Sequence, residues 1–116
     1  MTTEPVTGQL PATVRDYLAA HTARDTDAAL GTFLPTAVVV DDGRTFSGTD
    51  EIREFLGKAG AEFTYTTELL GARQLDDGRW VATQRLEGDF PGGVVDLDFT
   101  FTLSGDLIAE LVIATH

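Results

Sequence analysis

The chain has 116 residues, of which 42% are hydrophobic and 23% are charged, and this composition is typical of one compact globular domain rather than of a disordered chain. Its 19 acidic residues outnumber its 8 basic ones, giving a formal net charge of −11 that disfavours binding to nucleic acid or to an anionic membrane. The absence of cysteine excludes disulfides, thiolate nucleophiles and cysteine-ligated metals.

The amino-terminal residues carry an acidic side chain and no basic region, and no apolar run approaches the roughly 20 residues that a membrane helix needs. We therefore expect residues 1–9 to be a flexible segment, residues 10–116 to form the single domain, and the protein to be cytoplasmic without a membrane partner.

Two helices are predicted next. Apolar side chains recur at helical spacing over 11–23, and this stripe carries Tyr17 and His21. Asp25 can cap a second, shorter helix whose buried side includes Phe33 and extends to Leu34, and Pro35 prevents that helix from continuing.

A short hairpin and a third helix follow. The β-branched run over 37–40 predicts a strand, and the turn sequence over 41–43 predicts a short returning strand over 44–46. Thr49 is placed to cap a third helix, whose apolar stripe includes Ala59 and which Gly60 is expected to end.

The second half of the chain predicts four strands joined by three tight turns, which together form an antiparallel meander. The strands are expected over 62–75, 79–90, 93–103 and 107–115. Because three helices precede these strands and must bury their apolar stripes, the order predicts an α+β fold with the helices laid on the concave face of a curved sheet.

This order of elements resembles the NTF2-like superfamily, in particular its ketosteroid isomerase and SnoaL-like polyketide cyclase branches. The resemblance includes YLAAHTARD at 17–25, the run at 33–41, and SGTDEIREF at 47–55. It implies a cone, in which a curved mixed or antiparallel sheet holds three N-terminal helices on its concave face. It also implies a small-molecule ligand and a homodimer formed through the polar outer face of the sheet.

The resemblance implies two catalytic residues, and helical spacing adds a third candidate. Tyr17 falls where ketosteroid isomerases keep the tyrosine that donates to the developing oxyanion, and Asp41 falls where they keep the aspartate that moves the proton. The position of their third group, a protonated aspartic acid, aligns with Leu97, which cannot donate a hydrogen bond. His21 lies one helical turn after Tyr17 and is the candidate to replace that donor.

The same alignment predicts a ligand-binding cup that is mostly apolar with a few polar groups. It points alternate residues of the second long strand inward, and on the last strand it points Glu110 and Val112 inward. Trp80 can alternatively cover the open end of the core. The residues expected to contact a ligand are Phe33, Phe55, Trp80, Gln84, Leu97, Phe99, Glu110 and Val112.

The sequence is compatible with two functions. The first is a cofactor-free enzyme, an isomerase or a cyclase, that moves a proton next to the carbonyl group of a largely apolar compound. The second is a binding or dimerisation module that uses the same cone without turnover. No metal or other cofactor is expected, because the two histidines and the scattered acids do not show ligand spacing and no glycine-rich phosphate loop opens a helix.

Overall fold

The computed structural model describes residues 10–61 and 65–116, with the side chains of residues 58–61 outside the description. Its helices and strands, in chain order, are α1 (Ala12–Ala23), α2 (Thr26–Leu30), β1 (Phe33–Asp41), β2 (Arg44–Ser47), α3 (Gly48–Ala61), β3 (Tyr65–Gln74), β4 (Trp80–Gly88), β5 (Val94–Ser104) and β6 (Leu107–Thr115). The segment 1–9 that was predicted to be flexible, the start of the strand predicted over 62–75 and the side chain of Ala59 lie outside the described residues.

The six strands form one curved, unclosed sheet in the order β2-β1-β6-β5-β4-β3. β1 pairs with β6 in parallel, and all other neighbours are antiparallel, so the sheet is mixed. The three hairpins of the predicted meander are confirmed. The helices lie on one face of the sheet, called the inner face below, with α3 packed on β1 and β2 and α1 on β6. Within the described residues, no helix is both long and apolar enough to cross a bilayer.

The strand β1 begins earlier than predicted, and α2 is correspondingly shorter. Phe33, predicted on the helix, is the first residue of β1, and Pro35 lies inside the strand. The register between β1 and β6 shifts between Phe33 and Val38, so the proline falls where the ladder is interrupted. A strand tolerates proline there because the missing N–H is not needed for pairing.

The start of α3 also differs from the prediction, by two residues. The helix begins at Gly48, and the Glu51 carboxylate accepts a hydrogen bond of 2.9 Å from the Ser47 backbone N–H. This contact fixes the chain entering the helix, so Thr49 lies within the first turn rather than before it. The helix runs one residue beyond Gly60.

In the last strand, β6, the inward-facing and outward-facing side chains are exchanged relative to the prediction. Leu111 pairs with Phe101 and is fully buried on the inner face, whereas Glu110 and Val112 pair with Thr102 and Thr100 on the outer face. The prediction that Glu110 and Val112 point inward is therefore wrong. Strand β6 is apolar on both faces, so alternation alone could not fix its direction.

Candidate functional site

A cavity of about 330 Å³ lies on the inner face, between α1, α3 and the hairpin that joins β4 to β5. This volume is in the range of small-molecule sites. Three polar side chains lie in a lining that is otherwise hydrocarbon. The lining residues are His21, Asp41, Tyr65, Phe55, Leu86, Phe90, Pro91, Val95, Leu97, Phe99 and Ile113.

Asp41 reaches the cavity because it is the last residue of β1 and lies opposite Ile113 of β6 on the inner face. The next residue, Asp42, is exposed and has a positive φ of 52°, so the chain turns away into the hairpin. Burial raises the pKa of the Asp41 carboxyl, and the charge of Asp42 adds to this effect, while Arg44 partly opposes it. A carboxylate in this position is a stronger proton acceptor than one in water.

His21 lies on α1 among aromatic rings. Its ring centroid is 5.9 Å from that of Tyr17 in a stacked arrangement, and 5.9 Å from that of Phe99 in an edge contact. Burial lowers the pKa of the imidazole, and the Arg24 charge lowers it further. Its Nδ1 is buried without a hydrogen-bond partner among the described residues. A neutral imidazole carries one N–H, so His21 can donate a hydrogen bond to a ligand.

Tyr17 lies one layer deeper than the cavity wall. It is 0% exposed, and its ring packs edge-on against Phe33 at 5.5 Å and Phe101 at 5.6 Å between centroids. Its hydroxyl has no hydrogen-bond partner among the described residues. Burial raises the pKa of Tyr17, with smaller contributions from Tyr65 and from the Asp41 charge, so the phenol is protonated and within electrostatic range of the cavity.

Tyr65 also lines the cavity, although it was not among the predicted ligand contacts. It begins β3, and the Arg24 guanidinium lies 5.2 Å from the centroid of its ring. Burial raises the pKa of Tyr65, the Arg24 charge opposes this effect, and the Asp41 charge adds to it. The alternation of Tyr65 with Thr67 and Leu69 was the signal available in the sequence, because it places all three on one face of a strand.

Three of the predicted ligand contacts, Phe55, Leu97 and Phe99, line the cavity. Phe33 does not, because it packs against Tyr17 within the core. Trp80 lies beside the turn that precedes β4, which agrees with the alternative that it covers the open end of the core.

The remaining predicted contacts lie elsewhere. Gln84 is on the inner face and 3% exposed, but it borders a second groove on the other side of α1. Glu110 and Val112 are on the outer face and cannot reach the cavity.

The arrangement provides a proton acceptor and a neutral hydrogen-bond donor on the wall of an apolar cavity. Asp41 and His21 come from separate elements, β1 and α1, and both line it. In the part of the chain that the structure describes, no group of three or more His, Cys, Asp or Glu side chains is placed to hold a metal ion. The chemistry available to these side chains is proton transfer.

Comparison with known proteins agrees with the family resemblance seen in the sequence. Residues 14–111 match the sequence model of a family described as the SnoaL-like domain. A putative polyketide cyclase from Sinorhizobium meliloti is 33% identical with a TM-score of 0.86, covering 93% of this chain and 98% of its own. No curated protein matches the chain.

Two further structures share the fold at lower identity. A protein of ketosteroid isomerase-like fold from Catenulispora acidiphila, in complex with trimethylamine, is 18% identical with a TM-score of 0.78, covering 91% of this chain and 86% of its own. A protein from Sphaerobacter thermophilus is 23% identical with a TM-score of 0.76, covering 90% of this chain and 93% of its own.

Proposed function

Because the chain belongs to the SnoaL-like domain family, we propose that it is a cofactor-free acid–base catalyst that isomerises or cyclises a small, largely apolar carbonyl compound. The observation that carries this proposal is the presence of both Asp41 and His21 on the wall of one apolar cavity. The similarity to a putative polyketide cyclase supports a carbonyl-rich substrate.

The proposed reaction begins with Asp41. Its carboxylate removes a proton from the carbon next to the substrate carbonyl, and the electron pair of that C–H bond forms the enolate. The enolate oxygen accepts a hydrogen bond from the N–H of His21. Where a C=C bond extends the enolate, the new carboxylic acid returns the proton to the far carbon of that bond, which gives an isomer. Alternatively, the enolate carbon attacks a second carbonyl group, which closes a ring, and the resulting alkoxide takes the proton back from Asp41.

The pKa shifts of the two groups support these roles. The raised pKa of Asp41 brings its basicity closer to that of the carbon acid, which lowers the barrier to proton removal. The lowered pKa of His21 keeps its imidazole neutral near pH 7, so it donates a hydrogen bond to the substrate. Because this imidazole is a weak base, it does not take the proton that Asp41 has removed from the substrate.

The two tyrosines have supporting roles in this proposal. Tyr17 stacks against the His21 ring and holds it from behind. Tyr65 lines the cavity and presents its phenol group to the ligand. Both remain protonated because burial raises their pKa values.

Solvent exchange tests the proposal directly. A panel of cyclic ketones and aryl diketones is incubated with the protein in deuterated water, and deuterium entry next to the carbonyl is followed by NMR. We expect Asp41→Asn to reduce the exchange rate by at least about a hundredfold, the usual contribution of a positioned base. Its melting temperature should be unchanged or higher, because the partly buried charge is removed.

Asp42→Asn is the matched control, since Asp42 is exposed and asparagine tolerates its positive φ. It should keep the exchange rate within a few-fold of the wild type. Ligands that stabilise the protein without any deuterium entry would contradict catalysis and favour a binding module. Unfolding of the Asp41→Asn variant would instead show that Asp41 is structural.

A further inference from the structure

A second groove of about 440 Å³ lies across α1 from the Asp41 cavity, between the helix and strands β3 and β4. Its walls are hydrocarbon from Leu18 and Ala19 of the helix and Leu69 of β3. Helix α1 therefore separates two spaces, with His21 facing one and the stripe from Arg15 to Ala23 facing the other.

The floor of this groove contains a buried amide without a partner. Gln84 is 3% exposed, borders the groove, and is paired across the sheet with Leu69 and Leu97. Its Nε2 has no hydrogen-bond partner among the described residues. A buried amide left in this state is costly, and a ligand oxygen placed in the groove would satisfy it.

The other polar groups of the groove are also donors. The Thr22 and Thr67 hydroxyls lie 2.8 Å apart at one end, and whichever of them accepts that hydrogen bond keeps a hydrogen to donate. Arg15 lies about two helical turns away, at the other end. Its guanidinium makes no ion pair with any described residue, and no described acidic residue lines the groove.

We propose that this groove is a second small-molecule site that binds an apolar carboxylic acid in its ionised form. The hydrocarbon tail lies against Leu18, Ala19 and Leu69, and the carboxylate is held by the Arg15 guanidinium with the Gln84 amide beneath it. The described lining of this groove carries a guanidinium and no acidic side chain, which is unusual on a chain of net charge −11 that would otherwise repel an anion. A guanidinium group binds a carboxylate especially well, because two of its N–H groups can donate to the two carboxylate oxygens at once.

Octanoate is a suitable probe, with octanol as the matched neutral molecule. Titration followed by amide chemical shifts should show octanoate moving the signals of Ala19, Thr67 and Gln84, with those of Asp41 and Ile113 unmoved. We expect Arg15→Gln to weaken octanoate binding at least about tenfold and Arg15→Lys to weaken it less. Octanol should bind wild type and Arg15→Gln equally.

Gln84→Leu provides a second, independent variant. It removes the unpartnered amide, so it should fold at least as stably as the wild type while binding octanoate several-fold more weakly. Asp41→Asn should bind octanoate as the wild type does, which separates this site from the proposed catalytic cavity. Equal octanoate affinity in wild type, Arg15→Gln and Gln84→Leu would overturn the proposal. So would signal changes confined to Asp41 and Ile113, or no binding at all.

Discussion

At the scale of single residues, the site brings together two ionisable groups that burial shifts in opposite directions. The pKa of Asp41 is raised, so its charged form is disfavoured in the folded protein and the stability it contributes falls as pH rises through the folded value. The pKa of His21 is lowered, so the neutral imidazole is favoured in the folded state. The cavity wall therefore carries a carboxyl group of raised basicity and an imidazole whose neutral form is favoured.

His21 should make stability depend on pH in a definite direction. The unfolded chain binds its proton near pH 6.5 and the folded protein only below that, so stability is full above pH 6.5 and is lost as pH falls through the folded pKa. His21→Gln should reduce this loss. In the His116→Gln variant, NMR titration of the one remaining imidazole should give a midpoint below 6.5, and a midpoint at or above it would contradict the burial of His21.

Substitution of Tyr17 tests whether His21 or Tyr17 donates the hydrogen bond to the enolate oxygen. The Tyr17 hydroxyl is buried without a described partner, so Tyr17→Phe should leave the free energy of unfolding unchanged or raise it by up to about 1 kcal/mol. It should keep deuterium exchange within a few-fold of wild type, whereas His21→Leu should lose most of it. A loss in Tyr17→Phe equal to that in His21→Leu would make Tyr17 the donor.

At the scale of elements, the sequence patterns that predicted the structure correctly were those with a single structural interpretation. The turn sequences placed the hairpins of the meander, and the helical stripe placed α1 with one buried side. Two signals failed for physical reasons. Pro35 stops a helix but also fits an interrupted strand, and β6 is apolar on both faces, so only tertiary packing decides which side Glu110 takes.

The cap of α2 was predictable and can be tested. The Asp25 carboxylate accepts a hydrogen bond of 3.1 Å from the Ala28 backbone N–H, so Asp25→Ala should lower the free energy of unfolding by about 1 kcal/mol. Asp27→Asn, which removes an exposed ion pair with Arg53, should change it by less than about 0.5 kcal/mol. Chemical denaturation measures both, and equal losses would contradict the capping role.

At the scale of the whole molecule, the resemblance read from the sequence predicted the fold correctly and the site incompletely. Asp41 and His21 both line the cavity, as predicted. Which other side chains line it depends on the exact register of each strand. Tyr65 was missed although the strand predicted over 62–75 contains it, because its alternation with Thr67 and Leu69 identifies one face of the strand but not whether that face lines a cavity. Gln84 was expected in the ligand cup because periodicity identifies an inner face but not which side of α1 a residue meets.

The homodimer remains a prediction at this scale. The outer face of the sheet carries a bidentate ion pair between Arg85 and Asp96, at 2.9 and 3.1 Å, and a hydrogen bond from the Thr83 hydroxyl to Asp98 at 2.6 Å. Sedimentation velocity should give the mass of two chains, and Arg85→Glu, which replaces a cation by a further acid on this face, should shift the equilibrium towards monomer. A single-chain mass for wild type at all concentrations would contradict the dimer.

The central claim is that Asp41 and His21 act on one ligand within one apolar cavity. The most direct test is a crystal structure of the protein with the ketone that exchanges its protons fastest. We expect the carbonyl oxygen within hydrogen-bond distance of a His21 ring nitrogen, and the adjacent carbon about 3 to 3.5 Å from an Asp41 carboxylate oxygen. A ketone bound outside this cavity, or inside it with the carbonyl turned away from both side chains, would contradict the claim.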